Sequence, residues 1–249
     1  MEKSSASTTV PSMLQRRTLA VTEILLCSGI PSQVLIASLL AATGMALETT
    51  PGQPALPFVF WLSMIDTLAV VALMVLLTRA RRERLSDLWL GARPLLREAL
   101  VGLWLVPLAF VVAAVLMAVL RALAPWLQNV PVNPLEQLAT GSTVNAAAFG
   151  LVAVIAGGVR EELQRAFLLH RFQDLGGMPV GVVVLSVAFG ALHFPQGWDA
   201  MITTGALGAF WAIVYLRRRS TIAPIISHAG FNLLGVLRVA LGEVPGVGP

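Results

Sequence analysis

Residues 100–120 have the sequence LVGLWLVPLAFVVAAVLMAVL, a run of apolar side chains without any charged residue. At about 1.5 Å rise per residue, a helix of this length crosses a hydrocarbon core about 30 Å thick. The stretch therefore predicts a transmembrane helix, and comparable apolar stretches lie before and after it.

The composition of the whole chain agrees with a membrane protein. Of its 249 residues, 57% are hydrophobic and only 12% are charged, and the mean hydropathy is +0.81. A soluble domain carries about 25% charged residues, so this composition excludes an ordinary soluble globule and a disordered protein. The net charge of +4 does not indicate a nucleic-acid partner, because the basic residues are dispersed among apolar stretches rather than gathered on one face.

We predict an all-α fold, a polytopic transmembrane helical bundle of about seven spans within a range of six to eight. The fifth predicted span is short, and Thr18–Cys27 is expected to form an interfacial lead-in to the first. The predicted spans are Ile30–Leu47, Leu56–Leu77, Leu100–Leu120, Val144–Leu169, Val180–Phe194, Ala200–Leu216 and Thr221–Ala240.

The basic residues predict the orientation of the bundle. With the N-terminus in the cytosol, thirteen of them fall in cytosolic segments and two, Arg121 and Arg238, fall at outer helix ends. This asymmetry is the one that the positive-inside rule requires. The thirteen are Lys3, Arg16, Arg17, Arg79, Arg81, Arg82, Arg84, Arg93, Arg97, Arg171, Arg217, Arg218 and Arg219.

The fourth span contains a cluster of charges that lipid would not tolerate. Residues 157–165, GGVREELQR, place four charges within six residues, and an isolated charge at the bilayer centre costs about 2.5–3.5 kcal/mol. We expect Glu161, Glu162 and Arg165 to face a protein interior or a water-filled cavity, where both carboxylates can reach the guanidinium. The alternatives are a buried cluster of ion pairs with a structural role only, or the cytosolic end of a short span. The glycine pair in front of the cluster predicts tight helix packing.

Three other charged residues lie in or near the spans. Glu23 and Arg238 are close enough to span ends to reach the headgroups with their side chains. Asp66 lies midway along the second span, where it is interpreted either as a helix-packing carboxylic acid or as a proton site.

Two histidines and an asparagine in later spans complete the candidate site. His193 lies four residues after Phe189, and His228 and Asn232 are four residues apart and share a helix face. At about 1.5 Å per residue, these side chains and the acidic pair lie within about 10 Å of one another in depth. We expect them to converge in one intramembrane cavity, nearer the cytosolic side.

These groups predict hydrolysis of an amide bond with water as the attacking group. A carboxylate can take a proton from water and pass it to a leaving amine, and an Asn amide beside an imidazole can stabilise the oxyanion. Other protease designs are not supported, because the sequence has no HExxH and no GxSxG motif. Asp66 also lacks a second intramembrane aspartate as partner.

Glu161-Glu162-x-x-Arg165, Phe189-x-x-x-His193 and His228-x-x-x-Asn232, in this order, resemble the three motifs of the CPBP intramembrane proteases, bacterial relatives of the type II CAAX prenyl endopeptidases. The resemblance covers residues 140–240. It implies an intramembrane endopeptidase in a bacterial inner or plasma membrane, acting on a peptide or a membrane-associated protein. It also implies a catalytic membrane core (140–249). The composition of the rest of the chain predicts a polar cytosolic tail (1–17) and N-terminal membrane spans (18–125), and we expect one integrated domain rather than two.

The resemblance also implies a role for each site residue. Glu161 would activate the water, Glu162 and Arg165 would orient and tune it, and His193 would help to hold it. His228 and Asn232 would stabilise the oxyanion. The commonest family pattern is EExxxR, whereas this chain has two residues before the arginine, which leaves the division of roles between the two glutamates open.

The need for a metal is left open as well. The expectation is that no cofactor is required, with zinc as the alternative, and the ligands would then be Glu161, His193 and His228. Two other functions stay open from the residues alone: a proton-coupled transporter or channel that uses the polar groups as a relay, and an inactive membrane scaffold.

Overall fold

The computed structural model describes residues 12–242 and confirms the all-α fold. A short antiparallel pairing of Glu48–Thr50 with Gln53–Pro54 is the only strand structure within those residues. The α-helices are α1 (Met13–Leu26), α2 (Ile30–Ala42), α3 (Leu56–Ala80), α4 (Leu95–Leu123), α5 (Thr143–Val152), α6 (Glu161–Arg171), α7 (Met178–Ala191), α8 (Trp198–Arg218) and α9 (Ile222–Ala240).

Six helical segments in the described part of the chain are long and apolar enough to cross a membrane. The predicted fifth span is instead the 14-residue α7, about 21 Å long and shorter than the hydrocarbon core. The six segments are Met13–Ala42, Leu56–Ala80, Leu95–Leu123, Thr143–Asp174, Trp198–Arg218 and Ile222–Ala240.

The loops gather at two opposite ends of the bundle. Residues 81–94, 172–177 and 219–221 meet at one end, which we call the Arg-rich face: Thr221 N donates to Trp89 O at 2.8 Å, and Arg81 pairs with Asp174 at 3.5 Å. Residues 43–55, 124–142 and 192–197 meet at the other end, where Asn133 Nδ2 donates to Gln196 Oε1 at 3.3 Å. The short α7 therefore connects the two ends and passes through the bundle like the longer helices.

The first membrane segment is interrupted between α1 and α2. Gly29 adopts a left-handed backbone with φ +84°, which glycine tolerates better than other residues, and Pro31 follows in the first turn of α2. The predicted lead-in is helical, since α1 starts with a capping box between Ser12 and Gln15. Residues 13–17 of the predicted polar tail are therefore helical, and residues 1–11 of that tail, including Lys3, lie outside the described residues.

Glu23 does not reach toward the headgroups as expected. Its side chain is 8% exposed and pairs with Arg171 at 2.5 Å and with Arg81 at 2.7 Å. A buried carboxylate is stabilised by such partners more than by a partial approach to the membrane surface. These contacts attach α1 to the Arg-rich end of α6.

Glu83 joins the same end of α6 from the loop after α3. Its carboxylate lies 2.7 Å from Arg171 Nη1 and 3.5 Å from His170 Nε2. Burial by itself would raise the pKa of Glu83, but the hydrogen bonds and charges of His170 and Arg171 outweigh it and lower the pKa to about 2. Glu83 is thus held in its ionised form, as a partner of two basic groups.

Candidate active site

The candidate acidic residues lie just after a wide turn in one long helical segment. Residues Ala153–Arg160 are π-helical and join α5 to α6, which begins at Glu161. Such turns are rare and are frequent at functional sites. A Cβ atom at Gly158 would lie 2.6 Å from Ala229 Cβ of α9. The predicted tight packing at the glycine pair is confirmed, and it brings α9 directly against the turn.

Glu162 is the centre of the ionic contacts between α6 and α9. Its Oε1 accepts from Arg165 Nη1 and lies 2.8 Å from His228 Nδ1. The side chains of Glu162, Arg165 and His228 are 1%, 6% and 5% exposed. Both carboxylates were predicted to reach Arg165. Glu162 does so, whereas the ion pairs of the described residues include none between Glu161 and Arg165. The Glu162 carboxylate has two partners, Arg165 and His228.

Glu161 has a different environment from its neighbour. Its side chain is 24% exposed, and its Oε2 lies 3.9 Å from His228 Nε2. This distance is too long for a direct hydrogen bond and fits one bridging water. Among residues 12–242 no donor lies within hydrogen-bond distance of the Glu161 carboxylate. The two ring nitrogens of His228 thus face the two glutamates separately.

An aromatic residue that the sequence analysis did not single out holds His228 in place. Trp211 of α8 stacks on the His228 ring with centroids 3.7 Å apart and an angle of 14° between the planes. Its Nε1 donates to Ser227 Oγ at 3.2 Å. The Arg165 guanidinium lies 4.9 Å from the ring centre of Phe189 and 5.9 Å from that of Trp211, within the range of cation–π attraction. No motif pointed to Trp211, because an apolar span offers many aromatic residues of equal appearance.

His193 lies at the margin of this cluster. It follows α7 in the turn to Phe194–Gln196 rather than inside a span, and its Nδ1 lies 2.7 Å from Phe189 O. The ring of Phe189 makes edge contacts with both imidazoles, with centroid distances of 4.8 Å to His193 and 6.1 Å to His228. His193 has no ion-pair contact with either glutamate within the described residues.

Asn232 lies one turn beyond His228 on the same face of α9, as its spacing predicts. Its Nδ2 donates to Ala153 O at 3.1 Å, a carbonyl of the wide turn. A Cβ atom at Gly157 would lie 2.7 Å from Asn232 Nδ2, so the missing side chain makes room for the amide. One N–H of the amide is thus used on the backbone, and the second remains for another acceptor.

The alternative zinc ligands are not arranged as a metal site. Across residues 12–242, no group of three or more His, Cys, Asp or Glu side chains is placed to hold a metal ion. His228 Nδ1 is engaged with Glu162. The predicted zinc site of Glu161, His193 and His228 is therefore not formed, because a zinc ion needs all of its ligand atoms about 2 Å from it at the same time.

Arg160 points away from the acidic pair, which the sequence analysis did not foresee. It pairs with Asp66 of α3 at 2.7 Å, and Ser32 Oγ of α2 donates to the same carboxylate at 2.5 Å. Asp66 is thus a packing carboxylate within an ion pair, the first of its two predicted interpretations. The run Ser28-Gly29-Ile30-Pro31 was a usable signal for the helix break beside this cluster.

The comparisons with known proteins agree with the motifs. Residues 143–234 match the model of the family described as "Type II CAAX prenyl endopeptidase Rce1-like". The match confirms the resemblance over this segment, which contains all six predicted site residues. Over these residues the chain is similar to the CAAX-protease family, and the described part of the chain contains six helical segments long and apolar enough to cross a membrane.

Another match is of a different kind. Protein NrfD homolog of Haemophilus influenzae (strain ATCC 51907 / DSM 11121 / KW20 / Rd) is 34% identical over 115 residues, which are 43% of this chain and 34% of the relative. The chain thus spans about a third of the length of this curated relative. No solved structure gave a significant match.

Proposed function

We propose that this membrane protein is an intramembrane endopeptidase of the CAAX-protease type, in which Glu161 activates the hydrolytic water. The observation that carries the proposal is the different environment of the two glutamates. Glu162 is buried and committed to Arg165 and His228, whereas Glu161 is partly exposed and 3.9 Å from His228 Nε2. Of the two carboxylates, Glu161 is the one that is partly exposed and is not paired with Arg165.

In the proposed reaction, a water molecule lies between the Glu161 carboxylate and His228 Nε2. Glu161 takes one proton from this water, and the oxygen forms a bond to the carbonyl carbon of the scissile peptide. The proton then passes from Glu161 to the leaving nitrogen, the C–N bond breaks as the oxyanion re-forms the carbonyl, and a carboxylic acid and an amine leave the site. Glu162 does not exchange protons in this scheme. It keeps the His228 ring oriented through Nδ1.

The developing oxyanion needs donors on the opposite side of the carbonyl. The second N–H of Asn232 is one candidate, because the first is fixed on Ala153 O at 3.1 Å and holds the amide in a defined orientation. In a site without bulk water, one such donor contributes about 2.7–4 kcal/mol to transition-state stabilisation. His193 is assigned no proton transfer here. His193 lies beside the Phe189 ring, and we assign it a contact with the substrate backbone.

The position of Glu161 favours a substrate cleaved within the membrane toward the Arg-rich face. Glu161 lies ten residues before Arg171, about 15 Å from that end of α6. The Arg-rich face is cytosolic in this proposal by the positive-inside rule. The substrate would be a peptide or a membrane-associated protein whose scissile bond can reach this depth.

The test compares new protein termini in membranes that contain the wild-type chain, Glu161→Gln or Glu136→Gln. The last variant is a control that removes a carboxylate from the opposite end of the bundle. We expect at least one new terminus with the wild type and the control, and its loss with Glu161→Gln at equal protein abundance. Glu161→Gln with wild-type cleavage would refute the role of Glu161. Membranes in which no terminus depends on the chain would refute the peptidase activity.

A further inference from the structure

The wide turn (Ala153–Arg160) ends at Arg160, and this residue forms a buried ion pair that includes neither Glu161 nor Glu162. Arg160 is the last π-helical residue and directly precedes Glu161. Its Nη2 lies 2.7 Å from Asp66 Oδ2, with the two side chains 10% and 1% exposed. Asp66 belongs to α3, beyond the segment that matches the family model.

Polar groups from the first membrane segment surround this pair. Ser32 Oγ donates to Asp66 Oδ1 at 2.5 Å, and Gln33 Nε2 donates to Asp66 Oδ2 at 3.3 Å. On the other side, Arg160 Nη1 donates to Gln164 Oε1 at 2.8 Å. Gln164 Nε2 then donates at 2.6 Å to the carbonyl of Cys27, a buried residue in the break between α1 and α2. The ion pair is therefore part of a network that connects α2, α3 and α6.

The helix that carries Glu161 is thus held on two sides. Arg160 attaches it to α3 through Asp66, and Glu162 attaches it to α9 through His228 at 2.8 Å. Glu161 lies between these two residues, and its carboxylate has no hydrogen-bond partner within residues 12–242. The direction of the Glu161 side chain depends on the rotation of α6 about its axis. The π-helical segment before it is a rare conformation, so tertiary contacts are needed to keep it from becoming an ordinary α-helix.

We propose that Asp66 is a positioning residue that, through Arg160, fixes the rotation of this helix and hence the place of Glu161 and Glu162 relative to His228. The proposal rests on the proposed peptidase function for its kinetic consequence. A displacement of a reacting group by about 1 Å can reduce turnover about 100-fold. A loss of the Asp66 anchor therefore lowers kcat and has little effect on KM.

The experiment uses the full chain in lipid nanodiscs and a peptide that spans the terminus found in the cleavage comparison. The variants are Asp66→Asn, Asp66→Glu, which keeps the charge and lengthens the side chain, and Asp66→Asn combined with Arg160→Gln, which removes both charges. Glu98→Gln is the matched control. Glu98 is also fully buried and bonds an arginine, Arg218, at 2.6 Å, but it joins α4 to α8 away from the site.

A second measurement does not depend on cleavage. The chain has 3 histidines, so ¹⁵N labelling of histidine gives a small set of imidazole signals, and His228→Gln identifies those of His228. We expect the His228 signals to shift in the folded Asp66 variants, while those of His170 stay in place. We also expect kcat to fall at least tenfold with KM within twofold, and Glu98→Gln to leave both kcat and the His228 signals unchanged.

The outcomes separate the two proposals. A folded double variant with wild-type kcat and unshifted His228 signals would show that the pair only balances charge, and would overturn the positioning role. An equal loss of kcat in Glu98→Gln would overturn it as well. If Asp66→Asn does not fold, the kcat and the His228 signals of Asp66→Glu and of the double variant decide whether Asp66 has the positioning role. If the wild type does not cleave or Glu161→Gln cleaves normally, the peptidase proposal fails, and the His228 signals still decide the role of Asp66.

Discussion

The contact between the wide turn and α9 can be tested by adding a single methyl group. In Gly158→Ala, the new Cβ would lie 2.6 Å from Ala229 Cβ and 2.7 Å from Ala229 Cα. Ordinary van der Waals contact starts at 3.4 Å, so α9 has to move away by about 0.8 Å. The clashing atoms are Cα and Cβ of Ala229, which no side-chain rotation can move. Its neighbour His228 would be carried along.

The magnitude of the effect follows from this displacement. The His228–Glu162 distance of 2.8 Å would grow to about 3.5 Å, at the limit of a hydrogen bond. Overpacking of this kind costs about 1–3 kcal/mol, and the better helix propensity of alanine offsets about 1 kcal/mol of it. The expected loss of stability is therefore small. The expected fall in kcat is about 100-fold, because the catalytic groups lose their alignment.

Gly235→Ala is the matched control on α9, since no atom lies within 4 Å of a Cβ placed there. We expect it to keep the wild-type kcat and to unfold at the same or a slightly higher temperature. The two variants are compared by thermal unfolding in detergent and by cleavage of the peptide substrate. If Gly158→Ala matches Gly235→Ala in both measurements, the close approach of the two helices does not position the site.

Three more predictions concern other parts of the molecule. Trp211→Ala is expected to destabilise the fold by about 3–5 kcal/mol and Trp211→Phe by less. Both should lower kcat, because Trp211→Ala removes the ring stacked on His228 and Trp211→Phe leaves a smaller ring without the donor to Ser227; a wild-type kcat in Trp211→Phe would contradict this. The low pKa of Glu83, about 2 against an ordinary 4.5, means that its stabilisation is complete above pH 4.5 and is lost as the pH falls toward 2. The difference in Tm between wild type and Glu83→Gln should therefore shrink from pH 7 to pH 3, and a constant difference would refute the assignment. Because the described residues assemble no metal site, dialysis against a chelator should leave cleavage unchanged, and a loss that zinc restores would contradict a metal-free mechanism.

The amino-acid sequence alone determined the membrane architecture. Apolar stretches such as residues 100–120 are stable mainly in lipid or in a protein interior. Six of the seven predicted spans overlap helical segments long enough to cross a membrane, and the fifth overlaps the shorter α7. The loop arginines predicted which loops share an end of the bundle, because their cost in lipid is independent of tertiary contacts. The cluster of Glu161, Glu162, Arg165 and His228 was also predictable, since local spacing and the cost of buried charge both favour its members facing one cavity.

Only the tertiary structure decided how these charges are paired and which of them stay accessible. The spacing allowed both glutamates to reach Arg165. In the structure α9 packs against Gly158, His228 lies beside Glu162, and it is Glu162 that pairs with Arg165. The same holds for Arg160 and Asp66, which are far apart in the chain and meet through the contact of the wide turn with α3. Pairings of this kind depend on helix rotation and crossing between distant segments, and local sequence patterns do not specify either of these.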